Sequence, residues 1–507
     1  MRTAVRTRTT TISFREPQTA ASDRAAPRGS RPLFPCGAAM CAACIDKRGI
    51  LWYNAETTEN DMKSENIAAI STPPGRGGVA VIRLSGESPL AAAEKMFTPA
   101  GKTEVAAFEP YRMYPGHIGC GGFSDFGLCV YFRAPHSFTG EDVVEFHCHG
   151  GTEIARGVLR RALECGCRLA EAGEFTRRAF LNGKLSLSSA EGLADMINGQ
   201  SEAEVRAGSL LYAERLNAAL ASVQDTIKNL LAEIDADIDF PEEDIERTDL
   251  SDARARIGSA AESLSALASS YGTGKKVKEG VSVVLAGKPN TGKSSLLNAL
   301  LGSDRAIVSP VAGTTRDVVE GALEIGGVRF CLYDTAGIRD SADTVESLGV
   351  GRAKKLIGGA DLVLFVADAS APLSAEDREI FSSLEGKKRL IVYNKADISD
   401  AGESDPPADI RVSAKTGENI PALRERMFSL CMEGYSADGF LIEERHYAAV
   451  RRALAELNEA LAVCGKVPPD LLGVHLKAAW DALGEISGET ANERIIDEIF
   501  SKFCVGK

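Results

Sequence analysis

The sequence predicts a multidomain chain of mixed α/β and α class: an N-terminal α+β domain, a helical domain in two pieces, and an α/β domain inserted between those pieces. Three observations carry this. At 507 residues the chain exceeds the roughly 250 to 300 residues at which one hydrophobic core stops growing, so about two to four domains are expected. Leu216, Leu220, Val223, Ile227, Leu230 and Ile234 recur at steps of four and three, and Val450, Leu454, Leu457 and Leu461 repeat that spacing. Each set lies on one stripe of an amphipathic helix that needs a partner. Between the two sets, the apolar run Val281–Ala286 opens directly into a glycine-rich turn, the signature of a strand, loop and helix in succession.

Composition excludes several classes. Hydrophobic residues make up 44% and charged residues 25%, the balance of a water-soluble globular protein and not of a collagen-like, disordered or disulfide-scaffold chain. With 58 Lys plus Arg against 71 Asp plus Glu, the net charge is -13. Capture of nucleic acid by the whole surface is therefore disfavoured, and an RNA partner needs a local basic patch. No run approaches the roughly 18 apolar residues of a membrane span and the N-terminus has no signal-peptide core, so the chain reads as cytoplasmic, with no membrane partner. The 12 cysteines are scattered and read as thiols; Cys36, Cys41 and Cys44 match no common zinc spacing.

Along the chain, residues 1–61 carry nine Lys or Arg against six acids and show no sustained period. They read as a disordered extension or a misassigned start, with Met62 the better candidate start and only a superficial likeness to a transit peptide. Residues 62–183 read as the α+β domain: a strand at Ile67–Ile70, a turn at 73–78, a strand from Val79 in which Val79, Val81 and Ile82 are expected to be buried, a further apolar strand within 132–151, and a helix over 152–165. His147 and His149 share one strand face, but nothing nearby completes a metal set, so they read as a polar strand face. Residues 184–278 and 437–507 form the two halves of the helical domain around an inserted domain at 279–436. Trp480, Leu483, Ile495, Ile496, Ile499 and Phe500 extend the helical reading to the C-terminus.

The inserted domain carries the chemistry. Gly287, Gly292, Lys293 and Ser294 have the spacing of a phosphate-binding loop. Its glycines let backbone N–H groups turn onto phosphates, Lys293 adds a point charge, and Ser294 offers a hydroxyl to Mg2+. Further elements follow in order: Gly313, Thr314 and Thr315; Asp334, Thr335, Ala336 and Gly337 after a strand at 328–333; Asn394, Lys395, Ala396 and Asp397 after a strand at 389–393; then Ser413, Ala414 and Lys415. With Asn290, Thr291 and Ser295 of the loop, these resemble the five motifs of a Ras-like GTPase. The resemblance makes Thr315 the switch threonine on Mg2+ and γ-phosphate, has Asp334 hold Mg2+ through water, and puts Gly337 on the γ-phosphate. It also makes Asp397 the base reader: one carboxylate can accept from both N1–H and the exocyclic amine of guanine, which selects GTP over ATP. Ras-like enzymes place a water-orienting glutamine after this glycine, where Ile338 stands here. Arg339, Asp340, Asp343 and Glu346 are the downstream candidates, and a K+ ion near Asn290 can supply the positive charge an arginine finger otherwise gives.

The blocks PPGRGGVAVIRLSG (73–86), SFTGEDVVEFHCHGG (137–151), GEFTRRAFLNGKLSLSSAEGLADMI (173–197) and the terminal FCVGK (503–507), in this order around the GTPase motifs, resemble the tRNA uridine 5-carboxymethylaminomethyl modification GTPase family, MnmE, over residues 65–507. The resemblance implies an N-terminal tetrahydrofolate-binding domain that pairs with its copy in a homodimer. It implies that Arg83, Glu145, Lys184 and Lys507 bind 5-formyl- or 5,10-methylene-tetrahydrofolate, whose pterin suits a carboxylate and whose anionic tail suits Arg or Lys. It implies a K+ site at Asn290, Ser309, Val311 and Thr314, with Ser309 standing where the family has threonine, and catalysis by Glu346 with Lys293 and Thr315. Cys504 matches the family's near-terminal cysteine, a reactive thiol or a small buried residue. The implied reaction, made with an FAD-dependent partner protein in a heterotetramer, adds an aminomethyl-type group at C5 of the wobble uridine of certain tRNAs. A ribosome-assembly or signalling GTPase switch is the alternative, and it leaves the folate-like blocks and the FCVGK end without a use.

Overall fold

The computed structural model describes residues 44–45, 51–52, 65–239, 249–302, 321–334, 355–398, 405–435 and 443–506. The chain divides into two compact units, Met1–Thr58 and Glu59–Lys507. In the first, the described residues form one antiparallel pair, β1 (Cys44–Ile45) with β2 (Leu51–Trp52).

The second unit begins with β3 (Ile67–Ile70), β4 (Val79–Gly86), α1 (Pro89–Glu94), β5 (Phe97–Pro99), β6 (Met113–Gly119), β7 (Ser124–Phe132), β8 (Asp142–His149), α2 (Thr152–Glu164), β9 (Arg168–Leu169) and α3 (Glu174–Leu181). The seven strands form one sheet in the order β5-β6-β7-β8-β4-β3-β9, antiparallel except for the β3–β9 pair. Strand alternation decides what is buried. Ala80, Ile82 and Leu84 form a core with Ala155, Val158 and Ala162 of α2. The expectation that Val79 and Val81 join Ile82 inside is corrected: Val79 is 57% exposed and Val81 is half-buried, because they project from the opposite face. On that face Ile67 and Ala69 pack with Phe175, Ala170 and Phe138.

Next come α4 (Leu187–Asn198), α5 (Glu202–Tyr212), α6 (Arg215–Asp239), α7 (Leu250–Ser269) and α8 (Tyr271–Glu279), and, after the inserted domain, α12 (Glu444–Val463), α13 (Pro469–Ser487) and α14 (Glu493–Ser501). All six apolar stripe residues of α6 are buried, and they share a core with Val450 and Leu457 of α12 and with Leu472, Leu476 and Leu483 of α13; Leu454 and Leu461 pack at its margin. The halves are also tied by charge: Glu191 of α4 accepts from Arg445 at 2.6 and 3.0 Å and lies 2.7 Å from His446 Nε2. The last helix, expected from the apolar residues near the C-terminus, also joins the two halves. Ile499 and Phe500 of α14 pack with Phe503 and with Leu187 and Ala190 of α4, and Gly488, ending α13 in the left-handed region (φ 100), lets the chain turn towards them.

The inserted part comprises β10 (Val281–Ala286), α9 (Lys293–Leu301), β11 (Gly321–Ile325), β12 (Val328–Asp334), β13 (Leu362–Asp368), α10 (Ala375–Ser383), β14 (Arg389–Asn394), β15 (Ile410–Arg411) and α11 (Ile420–Cys431). Its sheet runs β11-β12-β10-β13-β14-β15, parallel except at β11–β12. β13 is apolar and buried along nearly its whole length, as a strand covered on both faces must be. Lys278, at the crossing into this domain, pairs with Asp195 of α4 at 2.9 Å and with Glu443, at the crossing out of it. The Gly327 carbonyl in the β11–β12 turn accepts from Ala203 N of α5 at 2.9 Å.

Candidate functional site

In an open parallel sheet the groups that meet a ligand sit at the carboxyl ends of the strands. Here β10, β12, β13 and β14 end at Ala286, Asp334, Asp368 and Asn394, on one edge. Residues 287–292 pass from β10 into α9, whose first residue is Lys293. Two glycines are required by space as well as by φ. A side chain on Gly292 (φ +87) would stand 2.4 Å from Asn394 Nδ2, and one on Gly287 (φ +152) 2.3 Å from the Val366 carbonyl oxygen. The loop closes on itself: Lys293, 5% exposed, donates from Nζ to the Gly287 and Lys288 carbonyls at 2.9 Å each, and Thr291 Oγ1 donates to the Lys288 carbonyl at 3.1 Å.

Two further clusters converge on this loop. Ser294 Oγ donates to Asp334 Oδ2 at 2.8 Å, so a hydroxyl and a carboxylate meet at the start of α9. These hard oxygen donors fit Mg2+, a small cation that binds through few protein oxygens while keeping waters and phosphates. From the other side, Asn394 Nδ2 donates to the Thr291 carbonyl at 3.0 Å while its Oδ1 accepts from Ala414 N at 3.0 Å. Lys395 (φ 68) donates to the Asn290 carbonyl at 2.9 Å and to Asp368 at 2.6 Å. Burial pushes the Asp368 carboxyl up, but hydrogen bonds from Lys395 and Ser370 outweigh this and hold it below the usual range. Asp397 Oδ1 accepts from Ser413 Oγ at 2.6 Å, and Ala396 N donates to the Val412 carbonyl at 3.0 Å; Ser295 and Lys415 are exposed.

The fold thus gathers Asn290 to Ser295, Asp334, Asn394 to Asp397 and Ser413 to Lys415 around one edge. Ser309, Val311, Gly313, Thr314, Thr315, Thr335, Ala336, Gly337, Glu346 and Lys507 lie outside the described residues. Sequence reading missed Lys288, Asp368 and Asp377. An acid closing the apolar run 362–367 was the available sign of Asp368; the other two form a pair with no local signature.

On the first sheet, β4 and β8 place Arg83 directly opposite Glu145, and Arg83 Nε donates to Glu145 Oε1 at 2.7 Å. The guanidinium lies 5.3 Å from the ring centre of Phe138 and 5.7 Å from that of Phe175, within cation–π range. His147 Nε2 is 3.3 Å from Glu145 Oε2. Burial raises the Glu145 carboxyl, yet the hydrogen bonds and charges of His147 and Arg83 prevail and keep it below the usual range. Lys184 donates to the Pro135 carbonyl at 3.0 Å, in the same loop that carries Phe138. Val505 bridges to Ala172, which brings the chain end to this domain and leaves Cys504 exposed. His149 pairs with Asp125 at 2.7 Å.

A glycine-rich loop opening a helix, a serine–aspartate pair at its base and an asparagine–lysine–aspartate strand end define a P-loop GTPase, carried here beside an antiparallel sheet domain and a split helical bundle. Residues 66–184 match the family model described as the GTP-binding protein TrmE N-terminus, and residues 187–504 match the MnmE helical domain. The chain is 41% identical over 457 residues to the tRNA modification GTPase MnmE of Symbiobacterium thermophilum, covering 88% of this chain and all of that protein. It is 40% identical over 461 residues to that of Desulforamulus reducens and 38% over 462 residues to that of Natranaerobius thermophilus, with the same coverage. The chain belongs to the tRNA modification GTPase MnmE family: it is a GTP-binding and GTP-hydrolysing enzyme of tRNA modification. Among the described residues no helix is long and apolar enough to cross a membrane.

Proposed function

We propose that GTP hydrolysis in this chain drives the addition of a carboxymethylaminomethyl-type group at C5 of the wobble uridine of certain tRNAs, with the carbon drawn from a 5-formyl- or 5,10-methylene-tetrahydrofolate and with an FAD-dependent partner protein. The observation that carries the folate part is the Arg83–Glu145 pair over Phe138 and Phe175. It offers a carboxylate to the pterin's N–H donors, a cation to an anionic group and aromatic faces for the ring. Lys184 and Lys507 add positive charge for the glutamate tail. The outward face of the same sheet bears Val79, Met113 and Phe126, each at least half exposed, which supports pairing of two copies in a homodimer.

At the nucleotide site, Lys293 and the loop N–H groups hold the phosphates, Ser294, Asp334 and Thr315 serve Mg2+, and Asp397 reads guanine. Asn290, Ser309, Val311 and Thr314 hold K+, and Glu346 orients the attacking water in place of the missing glutamine. The enzyme acts in the cytoplasm. Mass spectrometry of tRNA nucleosides from a deletion strain tests the reading: wobble uridines without their C5 substituent are expected, and an unchanged nucleoside profile would overturn it. In calorimetry, Glu145→Ala should lose 5-formyl-tetrahydrofolate binding while GTP hydrolysis persists, since the two sites lie on different sheets.

A further inference from the structure

We infer that Asp377, in the first turn of α10 and outside every nucleotide-binding motif, is a positioning residue for the phosphate-binding loop and acts through Lys288. The inference rests on residues 287–292 holding the nucleotide's phosphates. Lys288 follows Gly287, and its side chain leaves the loop towards α10, where Nζ donates to Asp377 Oδ2 at 2.7 Å and approaches Ser374 Oγ at 3.4 Å.

Two features mark this pair as more than a surface contact. Asp377 is 1% exposed, and a carboxylate is buried at that depth only when a partner compensates the lost hydration. The capping box that Asp377 makes with Ser374 does not need the charge, because a neutral side chain reaches back to the same backbone N–H equally well. Lys288, for its part, places an ammonium beside the positive N-terminal end of a helix, which is unfavourable unless an anion stands between them. Each charge is explained by the other. Consistently, Asp377 is held below the usual carboxylate range: burial raises it, but the hydrogen bonds of Lys288 and Ser374 and the Lys288 charge prevail.

The backbone of Lys288 explains why the pair reaches the ligand. Its carbonyl accepts from both Lys293 Nζ and Thr291 Oγ1, so the loop's internal bonds converge on the residue whose side chain Asp377 holds. Lys395 holds the Asn290 carbonyl and Asn394 the Thr291 carbonyl from the other side. Without Asp377 the segment after Gly287 is fixed on one side only, and the nucleotide must order it on binding.

The test is titration of a fluorescent GDP analogue into the full chain, with GTP turnover measured in parallel. Asp377→Asn should weaken GDP binding and raise KM about ten-fold while kcat stays within about two-fold, the pattern of lost uniform binding. Lys288→Met should match it, the double variant should be no worse than either single one, and Lys288→Arg should keep near wild-type affinity. Ala375→Gly, which weakens the same helix turn at an exposed position, separates stability from positioning: it should lower the melting temperature and leave the affinity alone. The inference is overturned if folded Asp377→Asn binds GDP within about two-fold of wild type, if the two single effects add in the double variant, or if Ala375→Gly reproduces the affinity loss. Failure of the wild-type chain to bind GDP would instead refute the nucleotide site itself.

Discussion

Replacing Glu191 by glutamine should loosen the joint between the two halves of the helical domain. Glu191 is 9% exposed and takes two bonds from Arg445, at 2.6 and 3.0 Å, with His446 Nε2 at 2.7 Å. Arg445 and His446 belong to α12, which follows Glu191 by more than 250 residues. Burial alone would raise the carboxyl, but the charges and hydrogen bonds of His446 and Arg445 overcome it and hold Glu191 at about 2 against an ordinary 4.5. That difference corresponds to about 3 kcal/mol in favour of the ionised form. Glutamine has the shape of the protonated acid, so Glu191→Gln should cost about 3 kcal/mol at pH 7, the lower end of what breaking a buried pair costs. At about 2 to 4 °C per kcal/mol for a domain the size of the helical one, its melting temperature should fall by about 6 to 12 °C. Because the folded value lies below the unfolded one, the wild-type advantage should be complete above pH 4.5 and shrink as pH falls towards about 2. Calorimetry across that range, with hydrogen exchange of peptides from α4 and α12, measures it. An unchanged melting temperature at pH 7, or the same acid dependence in both proteins, would refute the reasoning.

Asp195 should behave in the opposite sense. Burial and the Glu443 charge push its carboxyl far up despite Lys278, and its Oδ2 is buried without a hydrogen-bond partner, so it costs stability once ionised. Asp195→Asn should therefore raise the urea midpoint at pH 8 and give no gain below about pH 4; a lower midpoint at pH 8 would count against the assignment. Asp397→Asn should lose most GTP affinity and shift preference to xanthosine nucleotides, whose C2 oxygen can accept from the new amide; calorimetric titration with both nucleotides checks this. GTP hydrolysis should be faster in KCl than in NaCl, with the stimulation lost in Asn290→Ala and most of the rate lost in Glu346→Ala while nucleotide still binds. Equal rates in the two salts would exclude the cation, and a fully active Glu346→Ala would exclude the glutamate.

What could be read in advance follows the range of the interactions involved. The loop from Gly287 to Ser294 is legible because phosphate binding needs those residue types within one turn of chain, and the α6 stripe is legible because helix periodicity is local. The same stripe does not announce its partners: α6 shares its core with α12 and α13, while Ile499 and Phe500 of the last helix pack with Leu187 and Ala190 of α4. The β4 strand went wrong for a related reason: consecutive Val79 to Ile82 are all apolar or small, and only the sheet's neighbours decide which alternate set faces α2.

Buried charges were the least legible, and the physics says why. A charged side chain in sequence reads as solvated, since it is almost never fully buried unless paired, and the pairing that permits burial is a long-range fact. Arg83 meets Glu145 only because β4 lies antiparallel to β8 in one register; a slip of one residue would turn Glu145 to the other face. Lys288 and Asp377 are 89 residues apart, and Glu191 and His446 are 255 apart. In each case neither partner has a reason to be where it is without the other, so single-residue reading assigns both to the surface. The inserted domain increases this effect. By separating α8 from α12, it makes every tie between the halves of the bundle distant in sequence, so charges clustered at its two crossings, Lys278 and Glu443 with Asp195, become visible only once the chain has closed around it.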